Sequence, residues 1–577
     1  MFRKNDKHLQ IPFISQMDNL PKKQLDYIEN SWSQAFYDDF FSQIDETPFD
    51  VLYADCPSRP NIPINVLVSL EFLKASNGWS DKELFEGFNF NILVRKAVGY
   101  RNLGEGDFDL RTLYYFRKKL CQYMQNNGIN LIEKAFEQVT DKQIDAYQIK
   151  TGKQRMDSTQ VASNIYEFNR LRLMVEVIQR VHRMMSEEEQ KKYADFFAPF
   201  IKGHSGQYIY HIKGQNTSEH MQRIGELIQY LISELQPKYD QDAVYRMLER
   251  VFGEHFRVEE KTVKIKVEKE LSASSLQSPD DKEATYREKG KKSYKGYVIN
   301  VTETCEPENA LQLITKVQTA PNQVEDVTLM IEAMPDLKKR TEIEILYTDG
   351  GYGSPEADQI LQENSVEQIQ TAIRGRTPST EKLNLADFDI QQSQSGTPTQ
   401  ITCPAQQKVE VQQSSQKRGY VAHFEKEICE TCPLKQKCAA QSGKRDMRWH
   451  LRFNKDQVNV SQRRRRSLIH KLDGRNLRAA IEATVRQVKH PFPAGKLPVR
   501  GLFRVACMAI GSAAVCNIRR IQRYLEAKKK LENGVNGPQK GGQSSKDSLF
   551  VSIYLWLKVV LGVWDAPSML RKLKSGC

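Results

Sequence analysis

The chain has 577 residues, 39% of them hydrophobic and 27% charged, which places it among globular proteins rather than disordered, collagenous or membrane chains. Roughly two to four domains fit that length. An excess of 85 Lys and Arg over 72 Asp and Glu leaves a net charge of +13 and an isoelectric point near 9.0, a balance that favours a polyanion such as nucleic acid.

The opening segment, MFRKNDKHLQIPF, contains no apolar run of the kind a secretory signal needs. A cytoplasmic protein is expected, its ten cysteines serving as thiols or metal ligands. The segment 549–564 (LFVSIYLWLKVVLGVW) is short for a membrane span and carries Lys558 at its middle, so it reads as a packed terminal helix or strand pair. No membrane partner is expected.

From 24 to 123 the pattern is helical. NIPINVLVSLEFLKASNGW repeats apolar residues at three and four positions, Ser80 with Glu83 forms a capping box, and LRTLYYFRKKL carries a basic edge of Arg117, Lys118 and Lys119. Such helices suit a helix-turn-helix-like DNA module, or an ordinary bundle with a solvated charged face. A strand, AYQIKTGKQRMD, then ends at Asp157. Helical periodicity returns from 165 to about 260, followed by a polar loop over 272–292. YKGYVINVTE and LQLITKVQTA read as strands, VEDVTLMIEAM as a helix, and EIEILYTD as a strand closing on Asp349, with VEQIQTAIRG another strand beyond it. This is the element order of a ribonuclease-H-like sheet. A polar tract over 377–400 interrupts it, helices resume over 476–530, and 534–545 is a flexible linker.

The fold expected is therefore multidomain α/β. A helical DNA-binding domain spans 1–140, and the first strand of a ribonuclease-H-like core lies in 141–164. A mainly helical insertion covers 165–290, and the core continues over 291–375. A second insertion, with a cysteine cluster and a basic run, covers 376–470. The helical end of the core lies in 471–530, and a linker and terminal segment in 531–577.

Phosphodiester cleavage and transfer need charge neutralisation at the phosphate and an activated oxygen nucleophile, which two metal ions about 4 Å apart supply. Mg²⁺ takes hard oxygen ligands. Asp157, in RMDSTQV, and Asp349, in ILYTDGGYGS, are strand-terminal acids; either alone is more often a turn former. In RNLRAAIEATVRQVKH, Arg478, Glu482 and Lys489 are spaced to share one helix face, either as a metal and phosphate site or as an exposed helix with spaced ion pairs. Cys403, Cys429, Cys432 and Cys438 could hold one structural Zn²⁺, with His423 or His450 as a substitute ligand, or remain unliganded thiols. Cys507 and Cys516 lie in an apolar helix and read as core. Arg463, Arg464, Arg465 and Arg466 form a basic run suited to the DNA backbone.

Taken together, RPNIPINVLVSLEFLKASNGWSDKELFEGFNFNILVRKAVGY, LRTLYYFRKKL, RMDSTQV, SYKGYVINVTET, YTDGGYGS, the cysteine segment and RAAIEATVRQVKH with VRGLFRVACMAIGSAAVCNIRRI resemble the bacterial insertion-sequence DDE transposases. The resemblance spans about 8–523 and is to the branch with a helical amino-terminal domain and a Y-R-E-K-like box. It implies a transposase that cleaves inverted-repeat ends in double-stranded DNA and transfers the freed 3′-hydroxyl to target DNA. Asp157, Asp349 and Glu482 would hold two Mg²⁺ or Mn²⁺ ions, and Arg478 and Lys489 would contact the end DNA. The box tyrosine is replaced by Arg475. The resemblance further implies a homo-oligomer on DNA and a cytoplasmic, nucleoid-associated bacterial protein. The alternatives are a catalytically inactive, sequence-specific DNA-binding derivative, and a nuclease acting on RNA or hybrids.

Overall fold

The computed structural model describes residues 1–10, 13–54, 60–166, 168–210, 212, 214–373, 381–393, 396–414, 419–443, 448–472 and 476–535. The expectations placed on Arg475, on the segment 549–564 and on most of the 534–545 linker lie outside the described residues.

The amino-terminal part is helical: α1 (Lys22–Glu29), α2 (Trp32–Asp39), α3 (Ile64–Asn77), α4 (Asp81–Phe90), α5 (Ile92–Ala97), α6 (Leu110–Asn127) and α7 (Leu131–Ala146). The capping box read from the sequence is formed, Ser80 accepting from the Glu83 N–H while Glu83 accepts from the Ser80 N–H. α3 is apolar on nearly every side and almost wholly buried. Its first turn is capped from a distance, the buried Glu46 carboxylate accepting from the N–H groups of Ile64 (2.8 Å) and Asn65 (3.2 Å). It ends on Gly78 in the left-handed conformation, φ 65°, where a Cβ would stand 2.2 Å from the Pro491 carbonyl oxygen.

β1 (Lys153–Val161) opens the central sheet. The strand expected over 146–157 starts later, because α7 runs to Ala146, and it also continues four residues past Asp157. A helical insertion follows: α8 (Arg170–Met184), α9 (Glu187–Lys192), α10 (Ala194–Phe197), α11 (Ser205–Tyr210), α12 (Thr217–Tyr239) and α13 (Ala243–His255). It buries an apolar core of its own around Met174, Ile178, Ile228 and Leu248. A hairpin, β2 (Phe256–Glu259) and β3 (Thr262–Ile265), closes it and was not expected from the helical periodicity.

The chain returns through β4 (Thr285–Lys289), which falls within the tract read as a loop, to β5 (Lys292–Thr304) and β6 (Ile314–Pro321). α14 (Asp326–Thr341), β7 (Ile345–Thr348), α15 (Pro355–Glu363) and β8 (Glu367–Gln370) complete the layer. β6, β5, β1, β7 and β8 are neighbours in that order, with β4 on the far half of β5. β5 is antiparallel to both of its neighbours β6 and β1, whereas β1, β7 and β8 are parallel. The strand, helix and strand order expected for the core is thus present, and the architecture is α/β.

Sheet alternation sorts β1 into two sets. Met156 packs with Met330, Met334 and Leu346 beneath α14, while Arg155 and Asp157 face the other side. That second face is covered by α18 (Ile481–Lys489) and α19 (Leu502–Val535), with Val301, Val317, Ile481 and Ala509 in one continuous core that also takes in α3. α19 is long and apolar enough to cross a membrane by length and composition, yet 83% of the qualifying window is buried inside the protein.

Between β8 and α18, a segment expected only as a polar, cysteine-bearing insertion forms a second sheet. Its strands are β9 (Asp389–Gln392), β10 (Pro398–Thr402), β11 (Lys408–Gln413), β12 (Gly419–Glu425), β13 (Gln441–Ser442) and β14 (Arg448–Asn454), with α16 (Lys426–Thr431) between β12 and β13. Neighbouring strands are antiparallel, and Phe388, Ile401, Phe424 and Phe453 form the core. α17 (Lys455–Leu472) then carries the arginine run.

Buried charge joins these layers. Glu303 of β5, fully buried, accepts from Arg155 of β1 (2.6 Å), Thr484 of α18 (2.7 Å) and Arg520 of α19 (2.7 Å). Burial by itself would raise the Glu303 carboxyl, but Arg520 and Arg155 hold it below its ordinary range. Removing the charge while leaving both arginines inside should cost about 3–5 kcal/mol. The expected outcome for Glu303→Gln is a fall in urea midpoint equal to that loss divided by the denaturant slope, with the slope unchanged; a midpoint like wild type would show that the network contributes little.

A second expectation concerns acid. The His255 imidazole accepts from Arg170 Nε at 3.0 Å, and burial, with Arg170 and Lys266 beside it, brings it down to about 4 from 6.5. A base depressed in the folded state adds stability that is full above its unfolded value and lost as pH falls towards the folded one. Thermal unfolding of the helical insertion should therefore lose about 3 kcal/mol between pH 6.5 and 4. His255→Gln should flatten that slope, and an unchanged slope would assign it to other groups.

Candidate metal and nucleic-acid site

The three acids singled out by the sequence come from β1, from the turn after β7 and from α18. Parallel pairing of β1 with β7 matches Arg155 to Tyr347, and continuing that register by two residues sets Asp157 level with Asp349. Asp157 is therefore mid-strand, not strand-terminal, yet it stands where β7 has already ended. Asp349 caps the turn that follows, its carboxylate accepting from the Gly351 N–H at 2.7 Å.

Glu482 lies in the first turn of α18, exposed to solvent. Its connection to the other acids is Arg478, in the turn that leads into the helix. The Arg478 guanidinium stands 3.1 Å from Asp157 and 3.7 Å from Glu482. Burial raises the Asp157 carboxyl above its ordinary range, Arg478 and the Ser158 N–H pull it back, and the neighbouring Asp349 charge raises it again. The Asp349 charge thus acts on Asp157, and Glu482 shares the Arg478 cation with it, so acidic groups gather at this edge of the sheet.

Several residues that frame the cleft were not read from the sequence. Ser158 donates to Asp326 Oδ1 at 2.8 Å, bringing a further buried acid behind Asp157. Tyr352 is fully buried and donates to Asn300 Oδ1 at 2.7 Å; burial and the charges of Asp326, Asp157 and Asp349 keep its hydroxyl protonated. Tyr352 belongs to the YTDGGYGS motif, where its single aromatic ring among glycines was the available signal. Asp326 had none, as it opens an ordinary amphipathic helix.

The basic residues are less free than their sequence suggested. Lys489, at the end of α18, turns back onto β1, donating to Thr159 Oγ1 and to the Gln160 carbonyl, both at 3.0 Å, and burial lowers its pKa. Arg463 departs from the expectation of a DNA-facing run: it is buried, 3.4 Å from Asp358, and a Cβ on Gly353 would meet its guanidinium at 2.1 Å. It packs against the loop that follows Asp349, because the one-residue spacing of a run sends successive side chains around the helix rather than to one face. Arg465 is exposed and reaches Asp389, and Arg466, half-exposed, stands 3.6 Å from Glu367. Arg464 is partly exposed.

Cys403, Cys429, Cys432 and Cys438 line one cavity of about 30 Å³ in the second sheet, together with Phe424 and Trp449. Burial, and after it the neighbouring Cys438, Cys403 and Cys432, push the Cys429 thiol up to about 11. His423 and His450 adjoin Phe424 and Trp449 in β12 and β14, so alternation sends them to the opposite sheet face, away from the thiols. Among the described residues no three His, Cys, Asp or Glu side chains stand together closely enough to form a metal-holding group. The donor chemistry nevertheless fits in both places. Four soft thiols line one cavity, and the hard carboxylates of Asp157 and Glu482 flank Arg478, whose Nε is buried and without a hydrogen-bond partner among the described residues.

Compared with known proteins, residues 402–522 match a family model described as a transposase DDE domain. The matched stretch includes the four clustered cysteines, Arg478 and Glu482 and ends within α19; it contains neither Asp157 nor Asp349. No curated protein and no solved structure matches the chain. The carboxyl-terminal part of the described fold is thus similar to a transposase DDE domain.

Proposed function

We propose that the chain is a DNA transposase of the DDE type, cleaving DNA at the ends of a mobile element and joining the freed 3′-hydroxyl to target DNA. The observation that carries this reading is the placement of Arg478 against both Asp157 and Glu482, with Asp349 level with Asp157 just beyond the neighbouring strand, in a sheet whose strand order we read as ribonuclease-H-like. The transposase DDE-domain match over 402–522 supports it.

In this reading Asp157, Asp349 and Glu482 hold two Mg²⁺ or Mn²⁺ ions. Such ions, when bound, neutralise the transferred phosphate and lower the pKa of an attacking water or hydroxyl. The protein's own contribution is placement. Asp157 is fixed by its strand and Asp349 by its cap on Gly351, whereas exposed Glu482 has room to adjust. Arg478 balances the acids in this structure and is the group nearest to hand for a phosphate once their charge is met otherwise. Lys489, Arg464, Arg465 and Arg466 add positive charge for the backbone of double-stranded DNA, which gives affinity rather than sequence reading. Paired ends call for at least a homodimer on DNA, acting in the cytoplasm at the nucleoid. Cys403, Cys429, Cys432 and Cys438 are the residues that would hold one structural Zn²⁺, which would cross-link the second sheet.

Full-length protein, incubated with Mg²⁺ and a plasmid carrying the DNA that flanks this reading frame, should nick and then join strands. Asp157→Asn, Asp349→Asn and Glu482→Gln should each lower cutting by at least about 100-fold while still retarding the same DNA. Retardation without cutting by the wild type would identify an inactive DNA-binding derivative, and preferential cutting of an RNA–DNA hybrid would identify a nuclease of another kind.

Elemental analysis of the purified protein should give one zinc per chain. Cys432→Ser with Cys438→Ser should remove it and lower the melting temperature; zinc-free, equally stable wild-type protein would leave four structural thiols.

A further inference from the structure

The solvent-facing stripe of α6 has a chemistry that neither the core nor the candidate metal site uses. Arg111, Tyr115, Lys118, Gln122 and Gln125 follow one another at alternating spacings of four and three residues. At about 100° per residue they fall within about 80° of arc and about 21 Å of length, one narrow band along the helix. All five are exposed, Tyr115 at 64%, while Leu113, Phe116 and Leu120 anchor the opposite side in the core. The orientation of the band is therefore set by packing.

What the band lacks is as informative as what it contains. An ordinary solvated helix face interleaves carboxylates with cations, as Arg223 with Glu219 in α12 and Lys82 with Glu86 in α4. α6 contains no Asp or Glu, and the five side chains make no hydrogen bond or ion pair with any described residue. The basic edge visible in the sequence is not the surface in question. Arg117 is buried against Glu71 (2.6 Å) and Asp81 (2.8 Å), and Lys119 donates to the Leu52 carbonyl and lies over the Tyr53 ring. Only Lys118 of the three remains on the band.

We infer that this band reads base pairs in the major groove of double-stranded DNA. The inference rests on the transposase reading and adds to it the element that recognises sequence. The major groove admits one α-helix, and the side chains available are those its edges select: Arg for guanine, Gln for adenine, an apolar ring for the thymine methyl, and Lys for a flanking phosphate. Charge is complementary, at two cations and no anion along the band. The deep, narrow major groove of duplex RNA would not accept such a helix. Leu113, Phe116 and Leu120 belong to the same continuous core as Ile481 and Val485 of α18, so a duplex held on α6 is held by the body that carries Glu482.

The test is selection of binding sites from a random-sequence duplex DNA pool by the full-length protein, with and without substitutions on the band. Wild type should enrich a motif. Arg111→Ala, Gln122→Ala and Gln125→Ala should each relax preference at one position by about 10-fold while still binding. Lys118→Ala should weaken all sequences alike and reduce the salt dependence by about one phosphate contact. Arg223→Ala, exposed and paired elsewhere, should change neither, and circular dichroism of every variant should match wild type. A motif retained unchanged by all the α6 variants would overturn the inference and leave DNA binding by the chain intact. Wild-type binding without sequence preference, or stronger competition by duplex RNA, would overturn it as well. Failure to bind any DNA would overturn the transposase reading with it.

Discussion

The Glu303 carboxylate is the constraint on which the rest of the described site depends. A fully buried anion is tolerated only when cations and hydroxyls close around it, and here each comes from a different element: Arg155 from β1, Thr484 from α18 and Arg520 from α19. Arg155 stands two residues before Asp157, and its second donor reaches the carbonyl of Leu477, the neighbour of Arg478, at 2.8 Å. One network therefore sets the strand that carries the first acid, the turn that carries Arg478 and the helix that carries Glu482. Thr484 is two residues from Glu482 on the inward side of the same helix, which leaves Glu482 itself outward and free to adjust.

A second buried node binds the amino-terminal helices to that sheet. Lys316 of β6 meets Glu137 of α7 at 2.6 Å, Asp336 of α14 at 2.7 Å and Glu133 of α7 at 3.3 Å. A lone ammonium in that place would be strongly disfavoured, so α7 and α14 are held against the strand by the same electrostatic requirement. Together with the continuous apolar core linking α3, α6 and α19, this packs the helical amino-terminal part directly onto the central sheet.

The cleft also shows how a protein holds like charges together. Asp157 lies level with Asp349 in the turn just beyond the adjacent strand, Asp326 lies behind Ser158, and Tyr352 stays protonated close by. Arg478 offsets part of that repulsion from 3.1 Å away. Its guanidinium is shared between Asp157 and Glu482, so one side chain ties the strand to the start of α18.

Much of this was legible in the amino-acid order, because it rests on local periodicity. The helices of the amino-terminal part, the Ser80 capping box, the strands of the central sheet and the placement of an acid just after β7 all follow from spacing of apolar residues and from turn chemistry. The second sheet was not legible: KVEVQQ and GYVAHFE are short, half-polar strands whose pairing partners are set by long-range packing around Phe424 and Phe453. Nor did the arginine run disclose that Arg463 turns inward to Asp358, that His423 and His450 face away from the cysteine cavity, or that Asp326 stands near Asp157. The sequence by itself determined most of the helices, the main strands of the central sheet and which acids are available. Only the tertiary structure decided which charges are buried together, since burial and charge pairing depend on residues hundreds of positions apart meeting in a low-dielectric interior.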